Sequence, residues 1–172
     1  MLREPFTEKF YTYHSKYIEN VLALRQPQRE SLEIFARLCD ILTFSKEPNL
    51  GAELEAVHAL FPTLSSFERD FPSFCFALAT GIGKTRLMGA CIAYLRYEKG
   101  IKNFFVMAPN LTIYDKLKAD LGNTSNPKYV FKGLDLFAKP PRIIDGDNYA
   151  DFRQGTFGVN DVVINVFNIS KL

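Results

Sequence analysis

The stretch Ala-Thr-Gly-Ile-Gly-Lys-Thr at residues 79–85 constrains the fold of this 172-residue chain more than any other feature. A short, continuous apolar run leads into it at residues 74–79, which is typical of a strand buried on both faces of a parallel sheet. Helical apolar spacing follows, and we predict a helix from about Lys84 to Tyr97. A glycine-rich turn between a strand and a helix is a place where backbone N–H groups can surround a phosphate.

The residues of this turn have the chemistry that a nucleotide phosphate requires. Gly81 and Gly83 allow backbone angles and a close approach that a Cβ atom would prevent, and the helix N-terminus favours an anion. In such a turn the lysine reaches the β- and γ-phosphates, and the threonine hydroxyl ligates Mg²⁺. We predict that Lys84 and Thr85 are catalytic and that Thr85 is the Mg²⁺ ligand. The residues predicted to contact the nucleotide in this turn are Thr80, Gly81, Ile82, Gly83, Lys84, Thr85 and Arg86.

The chain after this turn continues the alternation of strands and helices. Its predicted elements are a strand over 103–108, a helix over 110–121 with Gly122-Asn123 as its C-cap, short strands near Tyr129 and Ile143, and a strand over 161–167. Residues 123–158 are rich in Gly, Pro, Asn and Asp, and we expect mainly loops there. The alternation predicts an α/β fold with a parallel sheet and right-handed crossovers.

The first 72 residues differ from the rest because helical spacing dominates them. We predict helices over about 6–20, 27–42 and 52–60, with Pro62 ending the last one. The chain therefore divides into a helical N-terminal extension over residues 1–72 and an α/β domain over residues 73–172.

Composition narrows the class of protein further. Apolar residues make up 47% and charged residues 23%, which favours a folded globular protein over a disordered one. The net charge of +2 gives no evidence for or against nucleic acid. The three cysteines are odd in number and lack CxxC spacing, so we expect buried, reduced thiols. No signal core is present and no apolar run approaches the ~20 residues that a membrane span needs, which predicts a cytoplasmic protein without a membrane partner.

Residues 78–85 also carry a family resemblance. The general phosphate-loop pattern has glycine where this chain has Leu78. Ala-Thr-Gly-x-Gly-Lys-Thr, with an apolar residue before it, resembles motif I of superfamily 2 helicases and translocases, and especially that of the type III restriction enzyme Res subunit. This resemblance implies that residues 73–172 are the first part of a RecA-like ATPase domain that uses ATP and Mg²⁺. It implies ATP-driven movement on duplex DNA, an endonuclease activity in the full-length protein and a modification methyltransferase as a partner.

The segment Leu24-Arg25-Gln26-Pro27-Gln28 resembles the Q motif of the same superfamily. The amide of Gln28 offers a donor and an acceptor together, which matches the edge of adenine. The resemblance implies that Gln28, and with it Arg25, contacts the nucleotide. Taken alone, a glutamine in a first helical turn is usually a surface residue.

Two further segments resemble the parts of the family that touch nucleic acid. Residues 105–112 resemble motif Ia, which implies that Asn110 and Thr112 contact the backbone of a bound strand. The alternative is that Asn110 only caps the following helix. The last predicted strand resembles the segment before the acidic helicase motif, which makes Asn165 and Asn168 nucleic-acid candidates.

The sequence contains no Asp-Glu-x-His box and no nuclease motif. We therefore expect an N-terminal fragment that binds ATP without hydrolysing it, because an acidic residue for the metal and an arginine from a second domain are missing. Two other functions stay open: a DEAD/DEAH-type DNA or RNA helicase without a nuclease, and an ATP-binding switch or scaffold. The downstream sequence would separate them, since an acidic helicase box excludes the scaffold and a nuclease pattern selects restriction.

Overall fold

A computed structural model describes residues 12–148 and 161–169. Its helices are α1 (Tyr13–Val21), α2 (Gln26–Ile41), α3 (Leu50–Leu60), α4 (Lys84–Lys99) and α5 (Leu111–Gly122), and its strands are β1 (Asn103–Ala108), β2 (Arg142–Ile144) and β3 (Val163–Asn168). One turn of 3₁₀ helix lies at Asp135–Phe137. The predicted helical start at residues 6–11 and the predicted loop at residues 149–158 lie outside the described residues. No helix within the described ranges is long and apolar enough to cross a membrane.

The strands form a parallel sheet in the order β1-β3-β2. Asn103 pairs with Val163 and Ala108 with Asn168 along β1 and β3, while Arg142 of β2 pairs with Val163 from the other side. The predicted parallel α/β class is confirmed. Helices α4 and α5 also begin and end within a few residues of their predicted positions, because apolar spacing and turn residues agree there.

The two faces of the sheet differ in their burial, since successive side chains of a strand point to opposite faces. The face toward the core is lined by Val106, Ala108, Ile164 and Val166, which are all buried. On the other face Phe105 is 58% exposed and Met107 is 47% exposed. Phe105 stacks on Phe167 of the neighbouring strand, with ring centroids 5.4 Å apart. We call this second side the open face of the sheet.

The prediction of a strand at residues 74–79 is wrong, because this segment is irregular and does not join the sheet. Its phenylalanine rings pack on the preceding loop and on α2 instead. The rings of Phe74 and Phe67 lie 5.7 Å apart, and the rings of Phe76 and Phe35 lie 6.5 Å apart. The apolar run is thus half-buried on one side without strand pairing.

Two smaller expectations are also wrong. Tyr129 lies in a turn and not in a strand, and its buried hydroxyl donates to the carbonyl of Phe137 at 3.3 Å. Cys75 is exposed, because alternate side chains of the irregular segment 74–79 face solvent. Cys39 is buried as expected and Cys91 is half-buried.

Helices from the first 72 residues pack directly on α4. The main hydrophobic cluster contains Ile18 of α1 and Leu32 of α2 together with Tyr94 of α4 and Ile164 of β3. A second cluster joins α2, α3 and the segment before the glycine turn around Val57. The extension and the sheet therefore share a core, and the proposed boundary between residues 72 and 73 stays a prediction.

Candidate nucleotide-binding site

The glycine turn at residues 79–85 contains two glycines in left-handed conformations. Gly81 and Gly83 both have left-handed backbone angles, with φ of +82° and +92°. A Cβ atom on Gly83 would lie 2.6 Å from Nε2 of Gln28, whereas one on Gly81 would meet nothing within 4 Å. Gly83 is thus required both for its conformation and for the close approach of Gln28, and the space beside Gly81 is free.

Helix α4 begins directly at this turn, and its N-terminus gives the turn a partial positive charge. Gly83 is the N-cap residue and provides no side-chain cap. The first N–H groups of a helix have no partner within the helix, and they carry a partial positive charge. Lys84 is exposed, and no hydrogen bond or ion pair within the described part of the chain engages its side chain. The start of α4 thus combines N–H groups that no side chain caps with an exposed ammonium.

Gln28 contacts the glycine turn, although it is 55 residues away from Gly83 along the chain. Its Nε2 donates to the carbonyl of Gly83 at 2.9 Å, and its Oε1 accepts from the backbone N–H of Arg25 at 2.8 Å. The side chain is only 2% exposed. The amide thus ties the start of α2 to the start of α4. Each of its two atoms keeps one further bonding position, but this burial leaves adenine little access to the amide. The adenine contact stays a prediction.

The two predicted arginines take different positions. Arg25 is the exposed N-cap residue of α2. Arg86 donates through Nη1 to the carbonyl of Leu22 at 3.1 Å, which links the first turn of α4 to the end of α1. In this position Arg86 stabilises the packing of the two helices, and its contact with nucleotide stays a prediction.

A lysine and an aspartate that the sequence analysis did not single out complete the surroundings of Thr85. Nζ of Lys116 on α5 lies 3.3 Å from Oγ1 of Thr85 and 2.6 Å from Oδ2 of Asp120. Asp120 is 3% exposed, and its Oδ1 accepts from Nδ2 of Asn126 at 2.9 Å. The i,i+4 spacing of Lys116 and Asp120 was visible in the sequence, but it is typical of any helix surface.

The predicted nucleic-acid residues lie at the start of α5 and on the central strand β3, and they are not equally accessible. Asn110 and Thr112 are exposed at the N-terminus of α5, where Asn110 caps the helix by accepting from the N–H of Ile113 at 2.9 Å. Asn165 is half-buried and donates to the carbonyl of Phe104 at 3.0 Å. Asn168 is only 1% exposed, and this burial argues against a direct contact with nucleic acid.

One comparison with known proteins identifies the family of the chain. The family model described as type III restriction enzyme, res subunit, matches residues 10–172, which is nearly the whole chain. No curated protein and no solved structure matches the chain. The family model covers the glycine turn, the start of α2 and the sheet in one continuous match. With this match and its parallel sheet, the chain belongs to the family of the type III restriction enzyme Res subunit, as a helicase-like, ATP-binding module with a RecA-like fold.

Proposed function

We propose that the turn at residues 79–85 binds the triphosphate of ATP and that Thr85 ligates its Mg²⁺. The observation that carries this proposal is the uncapped start of α4, a 16-residue helix, beside two left-handed glycines and the exposed Lys84. A helix N-terminus with glycines before it is a site for phosphate, and a lysine at this position adds a full positive charge. Magnesium would add charge that stabilises the phosphoryl oxygens.

Different residues of this chain would contact different parts of the nucleotide. Lys84 and the N–H groups of the turn hold the phosphates. Thr80, Gly81 and Ile82 contact them from the turn before the helix. Gln28 supports the turn through Gly83 and is proposed to contact adenine, with Arg25 near the same helix start. Helices over residues 1–72 form an extension, and residues 73–172 form the ATPase part.

The exposed start of α5 is proposed to contact the DNA backbone. Asn110 and Thr112 are accessible there, and a helix N-terminus favours a phosphate. Membership in the Res-subunit family supports DNA as the nucleic acid. We therefore propose that the module serves ATP-driven movement on duplex DNA in a restriction system, with a modification methyltransferase as a partner.

The variant Lys84→Ala tests the phosphate site. Loss of the ammonium removes a charge-assisted contact, so ATP affinity should fall by about tenfold or more. The matched control is Lys46→Ala, which removes an exposed lysine near Phe44. The ring of Phe44 lies 5.8 Å from Nζ of Lys99, the last residue of α4. This helix has 16 residues and is about 24 Å long, so its end and the nearby Lys46 are far from the glycine turn.

Isothermal titration calorimetry with ATP and Mg²⁺ measures both variants against the unmodified chain. We expect unchanged affinity in Lys46→Ala and unchanged circular dichroism in both variants. Equal ATP affinity in Lys84→Ala and the unmodified chain would exclude the turn as the phosphate site.

A further inference from the structure

Thr85 meets a positive charge from the neighbouring helix α5. The ammonium of Lys116 lies 3.3 Å from Oγ1 of Thr85, so it donates to the same oxygen that the proposed function gives to Mg²⁺. The lysine side chain is 42% exposed, but its end is fixed at 2.6 Å from Asp120. This ammonium is therefore held beside the metal end of the proposed nucleotide site.

Asp120 is well suited to keep the ammonium in this position. Its carboxylate is buried, and Nδ2 of Asn126 donates to its other oxygen at 2.9 Å. The backbone carbonyl of Asp120 also accepts from the N–H of Val130 at 2.9 Å. The carboxylate is thus held in place by Asn126 and the backbone, and it offers Lys116 a counter-ion next to Thr85.

A cation in this place has opposite effects on the metal and on the triphosphate. Mg²⁺ and the ammonium compete for lone pairs of one hydroxyl oxygen, and their like charges repel each other at short range. The triphosphate is attracted to the ammonium, most of all when no metal neutralises it. Lys116 should thus strengthen binding of metal-free ATP and weaken the benefit that Mg²⁺ brings.

We propose that Lys116 is a positioning residue that sets how strongly nucleotide binding depends on Mg²⁺. This inference rests on the proposed function of the turn. Lys116 takes part of the role of the metal when the metal is absent, and it yields the Thr85 oxygen when Mg²⁺ enters with the nucleotide.

The test compares ATP affinity in excess Mg²⁺ with ATP affinity in EDTA, measured by calorimetry for the 172-residue chain. The ratio of the two affinities is the magnesium enhancement. In Lys116→Met this ratio should rise by at least about fivefold, the lower end of typical coupling between two ligands. Lys116→Arg keeps the charge and should restore a ratio close to that of the unmodified chain.

Lys118→Met is the matched control, because it removes a lysine from the same helix that pairs with Asp145 and Asp115 and not with Thr85. Its magnesium enhancement should equal that of the unmodified chain. An unchanged ratio in Lys116→Met, or an equal rise in Lys118→Met, would overturn the inference. If the unmodified chain does not bind ATP, or if Lys84→Ala binds equally well, the proposed function itself fails. Melting temperatures show whether each variant is folded. If Lys116→Met is not folded, the neutral variant Lys116→Gln takes its place, with the same expected rise in the ratio.

Discussion

Gln28 is the residue that connects the start of α2 with the glycine turn, and its buried amide makes two hydrogen bonds within the protein. In Gln28→Ala the carbonyl of Gly83 loses a side-chain donor, although the N–H groups of Arg86 and Leu87 still point to it. We expect a loss of about 1–3 kcal/mol in the free energy of unfolding, since a buried polar pair is broken. Urea denaturation followed by circular dichroism measures this loss.

The same variant distinguishes support of the turn from recognition of the base. If Gln28 also contacts adenine, the affinity for ATP should fall more than the affinity for GTP, by about 1–3 kcal/mol by analogy with base readout. Titration of the variant with both nucleotides gives the ratio. Equal losses of affinity for ATP and GTP would mean that Gln28 supports the turn and does not contact adenine.

At the scale of elements, α5 is attached to the loop after β2 through Asp145. Lys118 lies 3.1 Å from Oδ2 of this carboxylate, and the N–H groups of Asp147 and Asn148 donate to Oδ1 at 3.0 Å. Burial acts to raise the pKa of Asp145, but the hydrogen bonds from Lys118 and the backbone outweigh it and the pKa is lowered. Burial likewise acts to lower the pKa of Lys118, and Asp145 reverses this.

These shifts predict a pH dependence of stability. A carboxyl group whose pKa is lowered by folding binds its proton less readily in the folded state. Its carboxylate therefore stabilises the fold fully above the unfolded pKa of about 3.9. This stabilisation is lost as the pH falls through the folded pKa. Asp145→Asn should therefore cost roughly 1–3 kcal/mol at pH 7 and progressively less below about pH 4. Urea denaturation at several pH values measures the difference, and Asp147→Asn serves as an exposed control. A pH-independent difference would contradict the assignment.

The elements also show what could be predicted from the sequence. β1, α4 and α5 were predictable, because their apolar periods and their flanking turn residues depend on local sequence alone. Residues 74–79 were not, because an apolar run becomes a strand only when a neighbouring strand is available to pair with it. In the candidate site, the turn and Gln28 were singled out from motifs, and their contacts with nucleotide stay predictions. Lys116 and Asp120 were missed, since their significance lies in the approach of α5 to Thr85 and not in any spacing.

For the whole molecule, the shared core predicts that the helical extension and the sheet unfold together. Leu32 of α2 is 1% exposed within the main cluster, which also contains Tyr94 and Ile164. Leu32→Ala should lower the free energy of unfolding by about 2–5 kcal/mol, because it opens a cavity in this cluster. Hydrogen exchange should show that the amides of α4 and β3 lose protection to the same extent as those of α2.

Leu60→Ala is the comparison for this variant, because Leu60 is 51% exposed at the end of α3 and its truncation should leave protection nearly unchanged. Loss of protection confined to α1 and α2 in Leu32→Ala would instead mean that the extension is an independent folding unit.

The open face of the sheet has a practical consequence for the behaviour of the protein in concentrated samples. Phe105 and Met107 expose much of their apolar surface there, next to the ring of Phe167. Apolar side chains gathered on a strand surface attract the same surface of another molecule, so light scattering should increase with protein concentration. Sulfate and phosphate salts strengthen such attraction because they are excluded from protein surfaces. Dilute samples without these salts should therefore give the most reliable binding isotherms, and crystals grown from sulfate should tend to form with these faces in contact.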